Sequence, residues 1–493
     1  MFLRRLLLLV AIVLTHALLP EVAWAHQELL GSTPASGDSL STVPQEIRLS
    51  FSQAVEPSLA ALRLIGPAGE VRLGDLSVPA DSATVLTATI VGPLVPGDYT
   101  IEWLATGDDG HSVRGEIPFH LREGAAGLAV SRPTAPDATL GGNAEREPAT
   151  GAQEVPAGST FTLTPGHPLY VAVRWLNFAG IVIVIGAVVL ATVVLGRMQR
   201  RDAVTPEGMI PQVRQRAAAV GFAGAVCLLI ALPLRLFAQL ATLEGAGGGS
   251  RGEVVASILS RSTWGRGWWL QAVAVALALV GFSLARRGRS SGWGIAALAA
   301  VALAVTPALS GHAVAASPLA VVSDTVHVLS AGGWVGTVFV MTVAALPPLL
   351  GSATTRRAAA GGLLAAFSPV ALSFAAALAL TGVYAAVLHL PDPSSLWASS
   401  YGRTLLIKLV ALAFVFAAGF YNWRRARPVL EQRGDSRPLR RSAAIELTFG
   451  ALVLAITAAL VATPPPAEHA AHASVGGAPA ADVSVGSPDV ATP

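Results

Sequence analysis

The sequence predicts a mixed architecture: an exported all-β sandwich or barrel of about seven strands, then an eight-helix transmembrane bundle. Three observations predict it. Residues 1–25 have the pattern of a secretory signal. The following stretch of just under 100 residues alternates short apolar and polar runs between turn signals. Beyond Leu169 come eight apolar runs, each long enough to cross a bilayer of about 30 Å. Composition agrees: 493 residues are 53% hydrophobic and 13% charged, with a mean hydropathy of +0.59.

In the signal, Arg4 and Arg5 precede an apolar run from Leu6 to Leu19, and Ala23-Trp24-Ala25 supplies a small-x-small cleavage site. Cleavage after Ala25 leaves His26 with a free α-amine. Residues 26–122 form the β part. Ile47-Arg48-Leu49-Ser50-Phe51 and Tyr99-Thr100-Ile101-Glu102-Trp103 alternate as half-buried strands do, and Gly66-Pro67, Pro96-Gly97-Asp98 and Asp109-Gly110 mark turns. Residues 123–166 are rich in Gly, Ala, Pro and Thr without periodicity and read as a linker. Residues 167–463 form the membrane part. Its apolar runs fall near 169–195, 217–241, 268–285, 292–310, 318–346, 362–388, 404–421 and 443–463. Residues 464–493 read as a disordered external tail.

Export of the β part fixes the direction of the first helix, inward. The loops then placed in the cytoplasm carry Arg197, Arg200, Arg201, Arg214, Arg216, Arg286, Arg287, Arg289, Arg356, Arg357, Arg424, Arg425, Arg427, Arg433, Arg437, Arg440 and Arg441. The external loops carry Arg251, Arg261, Arg266 and Arg403. The positive-inside rule gives the same topology: a multi-pass plasma-membrane protein with both termini extracytoplasmic. The net charge of +3 therefore reflects cytoplasmic loops rather than a nucleic-acid face. Cys227 alone excludes disulfides and Cys-based metal centres. Only Met198, Met209 and Met341 remain after processing, so a Met-rich Cu(I) site is absent.

The free amine of His26 beside its own imidazole is a two-nitrogen chelate suited to Cu(II). Asp109-Gly110-His111 adds a carboxylate and a second imidazole, completing a tetragonal N,O set; the Asp-Gly pair is equally a common turn. Nine histidines survive processing. His26, His111, His120, His167, His312, His327, His389, His469 and His472 all fall in the exported domain, the outer membrane half or the external segments. This distribution fits a copper-handling outer surface, or the chance placement of a few residues.

His26-Gln27-Glu28-Leu29-Leu30, Ser32-Thr33-Pro34-Ala35-Ser36-Gly37, Leu49-Ser50-Phe51-Ser52 and Asp109-Gly110-His111-Ser112-Val113-Arg114-Gly115 resemble the CopC copper-binding proteins. The resemblance implies a cupredoxin-like Greek key, with His26, Asp109 and His111 as Cu(II) ligands. His120 is expected to be a surface histidine. Ser310-Gly311-His312, Asp324-Thr325-Val326-His327, Gly333-Trp334-Val335-Gly336, Tyr401-Gly402-Arg403, Lys408 and Glu446 resemble CopD, the membrane partner of that family. The chain thus looks like a CopC–CopD fusion.

Helical spacing places Asp324, His327, Ala331 and Trp334 on one face of the fifth span. An ionisable residue in a membrane costs at least ~2.5 kcal/mol, so Asp324 must find a partner inside the bundle. Arg174 and Arg235 lie at similar depth and are the expected supporting residues. One reading is an Asp–Arg pair that only holds helices together. The other adds His312 and His327 to Asp324 as a membrane site for Cu(I) or Cu(II). Lys408 and Glu446 read as packing or snorkelling charges.

The expected function is non-enzymatic: the β domain binds copper outside and delivers it to the bundle for import, with an external donor or reductase as a further partner. The alternatives are copper resistance by external sequestration with the bundle as an anchor, and a haem or copper membrane redox protein. A copper monooxygenase is disfavoured, because Asp109 would fill the coordination position that oxygen needs.

Overall fold

The computed structural model describes residues 29–52, 54–55, 57–106, 112–126, 167–201, 206–242, 251–310, 317–349, 354–390, 392–433 and 437–461. His26, Asp109, His111, His312, the signal, the linker and the tail lie outside the described residues.

The β part contains β1 (Leu29–Thr33), β2 (Ser39–Thr42), β3 (Glu46–Phe51), β4 (Ala60–Gly66), β5 (Gly69–Val71), β6 (Val85–Thr89), β7 (Gly97–Thr106) and β8 (Ser112–Ala126). They form two sheets, in the orders β1-β3-β6 and β2-β8-β7-β4-β5. The eighth strand, against about seven expected, is β5, a three-residue edge beyond the Gly66-Pro67 turn. Alternation selects the core: Ile47, Leu49 and Phe51 from one sheet meet Ile101, Trp103, Ile117 and Phe119 from the other. Phe51 and Trp103 touch edge to face, 5.4 Å between ring centroids. Gly115 allows this packing, because a Cβ there would lie 2.7 Å from the Trp103 ring.

The helices are α1 (Pro168–Arg200), α2 (Met209–Thr242), α3 (Arg251–Arg261), α4 (Thr263–Arg286), α5 (Ser291–Leu309), α6 (Pro318–Ala345), α7 (Thr354–His389), α8 (Ser400–Tyr421), α9 (Arg427–Arg433) and α10 (Arg437–Leu460). A π-helical turn, Asn422–Ala426, joins α8 to α9. Among the described residues, eight spans are long and apolar enough to cross a membrane, as expected. The amphipathic α3 was not expected; its segment reads as a polar loop.

Side-chain caps start the helices that begin at one end of the bundle. Ser262, Ser317 and Ser399 accept from the backbone N–H three residues on, and His167 caps α1 ahead of Pro168. That end faces the β domain. Leu59 and Leu104 of the β domain pack with Val254 and Ile258 of α3, Trp264 of α4 and Leu236 and Leu240 of α2.

Glycine sets the crossing of α1 and α6. A Cβ on Gly186 would lie 2.1 Å from the carbonyl carbon of Gly336, and one on Gly336 would lie 2.0 Å from the carbonyl oxygen of Val182. The helices meet backbone to backbone. Gly336 also ends a π-helical turn, Gly332–Gly336. Gly336→Ala therefore forces α1 and α6 apart, with an expected stability loss of at least about 1–3 kcal/mol. Gly294→Ala, whose new Cβ meets nothing within 4 Å, is the neutral control. Thermal unfolding of both variants in detergent checks this; equal melting would contradict it.

Candidate metal centre

A cavity of about 900 Å³ opens among α1, α2, α6, α7, α8 and α10, in the half of the bundle nearest the β domain. Asp324, His327, Arg174, Arg235 and Lys408 all line it. Asp324 and Lys408 lie six and eight residues into α6 and α8, which is about 9–12 Å below those helix starts.

The charged neighbour of Asp324 is Lys408, which also acts on His327. Lys408 thus takes the place of the arginine in the Asp–Arg reading, and as a cavity-lining residue it fits the packing role expected of it rather than the snorkelling one. Arg174 instead stacks on Tyr170, its Cζ 4.2 Å from the ring centroid. Arg235 donates to Gln271 Oε1 and lies over Trp264. Gln271 in turn donates to Asn177 Oδ1 at 2.7 Å. Arg235 is thus engaged by polar groups of α4 and α1, and Arg174 by an aromatic ring of its own helix.

His327 Nδ1 lies 2.9 Å from Thr381 Oγ1, and that hydroxyl donates to the Ala377 carbonyl at 2.8 Å. Thr381 has one proton to give, and the carbonyl takes it. Nδ1 of His327 is therefore the donor, which leaves the Nε2 lone pair free to bind a metal ion. Gly382 lies beside the ring; a Cβ there would meet Cε1 at 3.6 Å, an ordinary contact.

Trp334 does not join the cavity. The π-turn adds a residue to the helical repeat, so Val335 lines the cavity while Trp334 packs against Phe416 at 4.7 Å. Trp334 and Glu446 line a small closed pocket. The Glu446 carboxylate is 6% exposed and bonds the Asn422 side chain at the π-turn of α8. Among the described residues no three His, Cys, Asp or Glu side chains gather as a metal site. Asp324 and His327 place one carboxylate and one imidazole in the same cavity. His312 follows Ser310, a cavity residue, by two positions, within a reach of about 7 Å.

In the β domain, residues 107–111 connect β7 to β8. Leu29 pairs with Phe51, Phe51 touches Trp103, and Trp103 pairs with Gly115. The start of β1, three residues after His26, is therefore at the same end of the sandwich as the Asp109-Gly110-His111 connection. Arg114, three residues after His111, lines the cavity in the bundle. His120 is exposed at the other end of β8, with Nδ1 2.8 Å from Asp98 Oδ1, as expected of a surface histidine. His389 lines the cavity beside Tyr401.

Three family patterns match the chain: CopC domain over residues 29–122, Copper resistance protein D-like, N-terminal domain over 164–319, and Copper resistance protein D over 361–460. The chain is a CopC–CopD fusion. Asp324 and His327 fall between the second and third matches. The Copper transport protein CutJ of Bacillus subtilis (strain 168) is 24% identical to the fusion over 463 residues, which is 92% of this chain and 76% of CutJ. Copper resistance protein C of Escherichia coli is 32% identical over 120 residues, 22% of the fusion and 94% of that protein. The crystal structure of CopC from Methylosinus trichosporium OB3b is 26% identical, covers 20% of this chain and 94% of its own, and superposes with a TM-score of 0.19.

The Asp324–Lys408 relation is testable by a double-mutant cycle. Asp324→Asn strands an ammonium among helices and Lys408→Met strands a carboxylate. The double variant recovers about 1–3 kcal/mol relative to the summed single losses. Detergent unfolding curves check it, and simple additivity would contradict the pairing.

Proposed function

We propose that the fusion acquires copper: the β domain binds Cu(II) and passes it to the bundle cavity for import. His26 supplies its amine and imidazole, Asp109 a carboxylate oxygen and His111 an imidazole, a set suited to Cu(II). Asp324 and the free Nε2 of His327 receive the ion, with His312 as the third group. One observation carries the reading. Arg114, in the strand that follows the Asp109-Gly110-His111 connection, forms part of the cavity wall. Arg114 is three residues beyond His111 in the chain, which supports a hand-over from that connection to the cavity.

In this reading the β-domain end of the bundle is extracytoplasmic, supported by the arginine-rich loops at the opposite end. The β domain acts as a binding module rather than an enzyme. An external reductase or donor supplies Cu(I) where that is the species carried, since imidazole and carboxylate accept either state less selectively than thiolates do. The second reading is external sequestration. It is favoured by the cavity's charge, with Arg114, Arg174, Arg235 and Lys408 against Asp324. At an effective dielectric of about 20, each cation about 8 Å away costs a bare copper(I) ion roughly 2 kcal/mol.

Two measurements test the proposal. The Cu(II) spectrum of the mature chain should shift on His26→Ala, and again when one residue is added before His26; an unchanged spectrum on extension excludes the amine. Cells at limiting copper should hold several-fold less copper with His327→Ala than with the parent protein. Equal copper in the two, with copper tolerance intact, supports sequestration instead.

A further inference from the structure

We propose that the cavity also binds one anionic phospholipid from the leaflet on the β-domain side, its phosphate on Arg174, Arg235 and Lys408 and its acyl chains between α7 and α8. The inference does not rest on copper transport. Three observations carry it.

First, the cavity is far larger than an ion requires. About 900 Å³ is near the upper end of the range of roughly 300–1,000 Å³ seen for organic-ligand pockets. Most of its wall is apolar, with Val328, Leu378 and Leu412 among the lining side chains, and polar groups such as Asn177, Gln239 and Thr381 interrupt it.

Second, it opens sideways. Ser400–Tyr421 of α8 packs along α10, while α7 packs on α6 and meets α9, beyond the π-turn. Toward the β domain, α7 and α8 therefore leave a slot. Val383 of α7 and Leu409 of α8 both line the cavity, yet are 64% and 48% exposed. In a bilayer those faces meet acyl chains.

Third, the polar end of the slot keeps a cationic excess, because Lys408 offsets Asp324 and, among the described residues, the two arginines have no acidic partner. Arg174, Arg235 and Lys408 share the cavity with one acidic lining residue, Asp324. Arg174 and Arg235 are close enough to repel each other. Among the described residues neither makes a salt bridge, and Arg174 Nη1 is buried with no hydrogen-bond partner. An apolar slot ending in guanidinium groups is complementary to a phosphate diester on acyl chains. Guanidinium forks bind phosphate oxygens through paired charge-assisted hydrogen bonds.

The test is lipid phosphorus retained by the full chain after exhaustive exchange into phosphate-free detergent, with the species read by native mass spectrometry. The parent protein should keep about one anionic phospholipid per chain. Arg174→Gln with Arg235→Gln should weaken retention at least about tenfold, the loss of one charge-assisted hydrogen bond. Val383→Trp blocks the slot from the lipid-facing surface without touching the arginines and should also empty the site, so the test survives if the double variant misfolds. Retention unchanged in Val383→Trp, or no retained phospholipid in the parent, overturns the proposal. Inorganic phosphate bound in place of phospholipid overturns it as well.

Discussion

A carboxylate placed inside a membrane bundle must be compensated, and the arrangement of this bundle follows from how Asp324 is. Its compensation comes from Lys408 on α8 and from a space large enough for water. Both solutions demand that α8 stand off from α7 while still approaching α6. The cavity is the result, and it brings His327 into the same space. The His327 ring is then locked by Thr381, whose hydroxyl is itself committed to the Ala377 carbonyl. A polar chain that begins as an electrostatic necessity thus ends as one oriented imidazole lone pair.

The rest of the bundle supplies rigidity around that space. The Gly186–Gly336 crossing brings α1 and α6 together at backbone distance, and the π-turn that contains Gly336 ends the cavity-lining face. On the other side Asn177, Gln271 and Arg235 tie α1, α4 and α2 together. The β domain rests on α3 and α4 through Leu59 and Leu104. That contact aligns β8, so that Arg114 enters the cavity wall.

The sequence shows some of this directly. Apolar runs report membrane spans one by one, because burial in lipid acts on each residue independently. Alternation reports strands in the same way, and the core of Ile47, Leu49, Phe51, Ile101 and Trp103 follows it. The edge strand β5 and the helix α3 carry little pattern, with three residues in one and eleven in the other, Arg251, Glu253 and Arg261 among them. Depth counting along helices brought Asp324, Arg174 and Arg235 into one layer, which was right. It did not find Lys408 as the partner, although Lys408 sits only two residues deeper from the start of α8; depth leaves the angular position of each helix undetermined. Trp334 left the expected face because a π-turn shifts the repeat, and the glycines at 332, 333 and 336 were its visible trace. His26, Asp109, His111 and His312, proposed as ligands from the chemistry of the sequence, lie outside the described residues.

The central claim is that copper passes from the β domain into the bundle through the contact between them. The direct measurement is a single-turnover transfer in liposomes that hold the mature chain with its β domain outward, loaded with one copper per chain and given an external reductant, with a copper-sensitive chelator trapped inside. The account predicts that copper reaches the inner chelator from the parent protein, and that Leu59→Glu, which breaks the contact with Ile258 and Trp264, keeps the ion bound but stops its arrival. Copper that stays on the β domain of the parent, or arrives equally fast with Leu59→Glu, would contradict it.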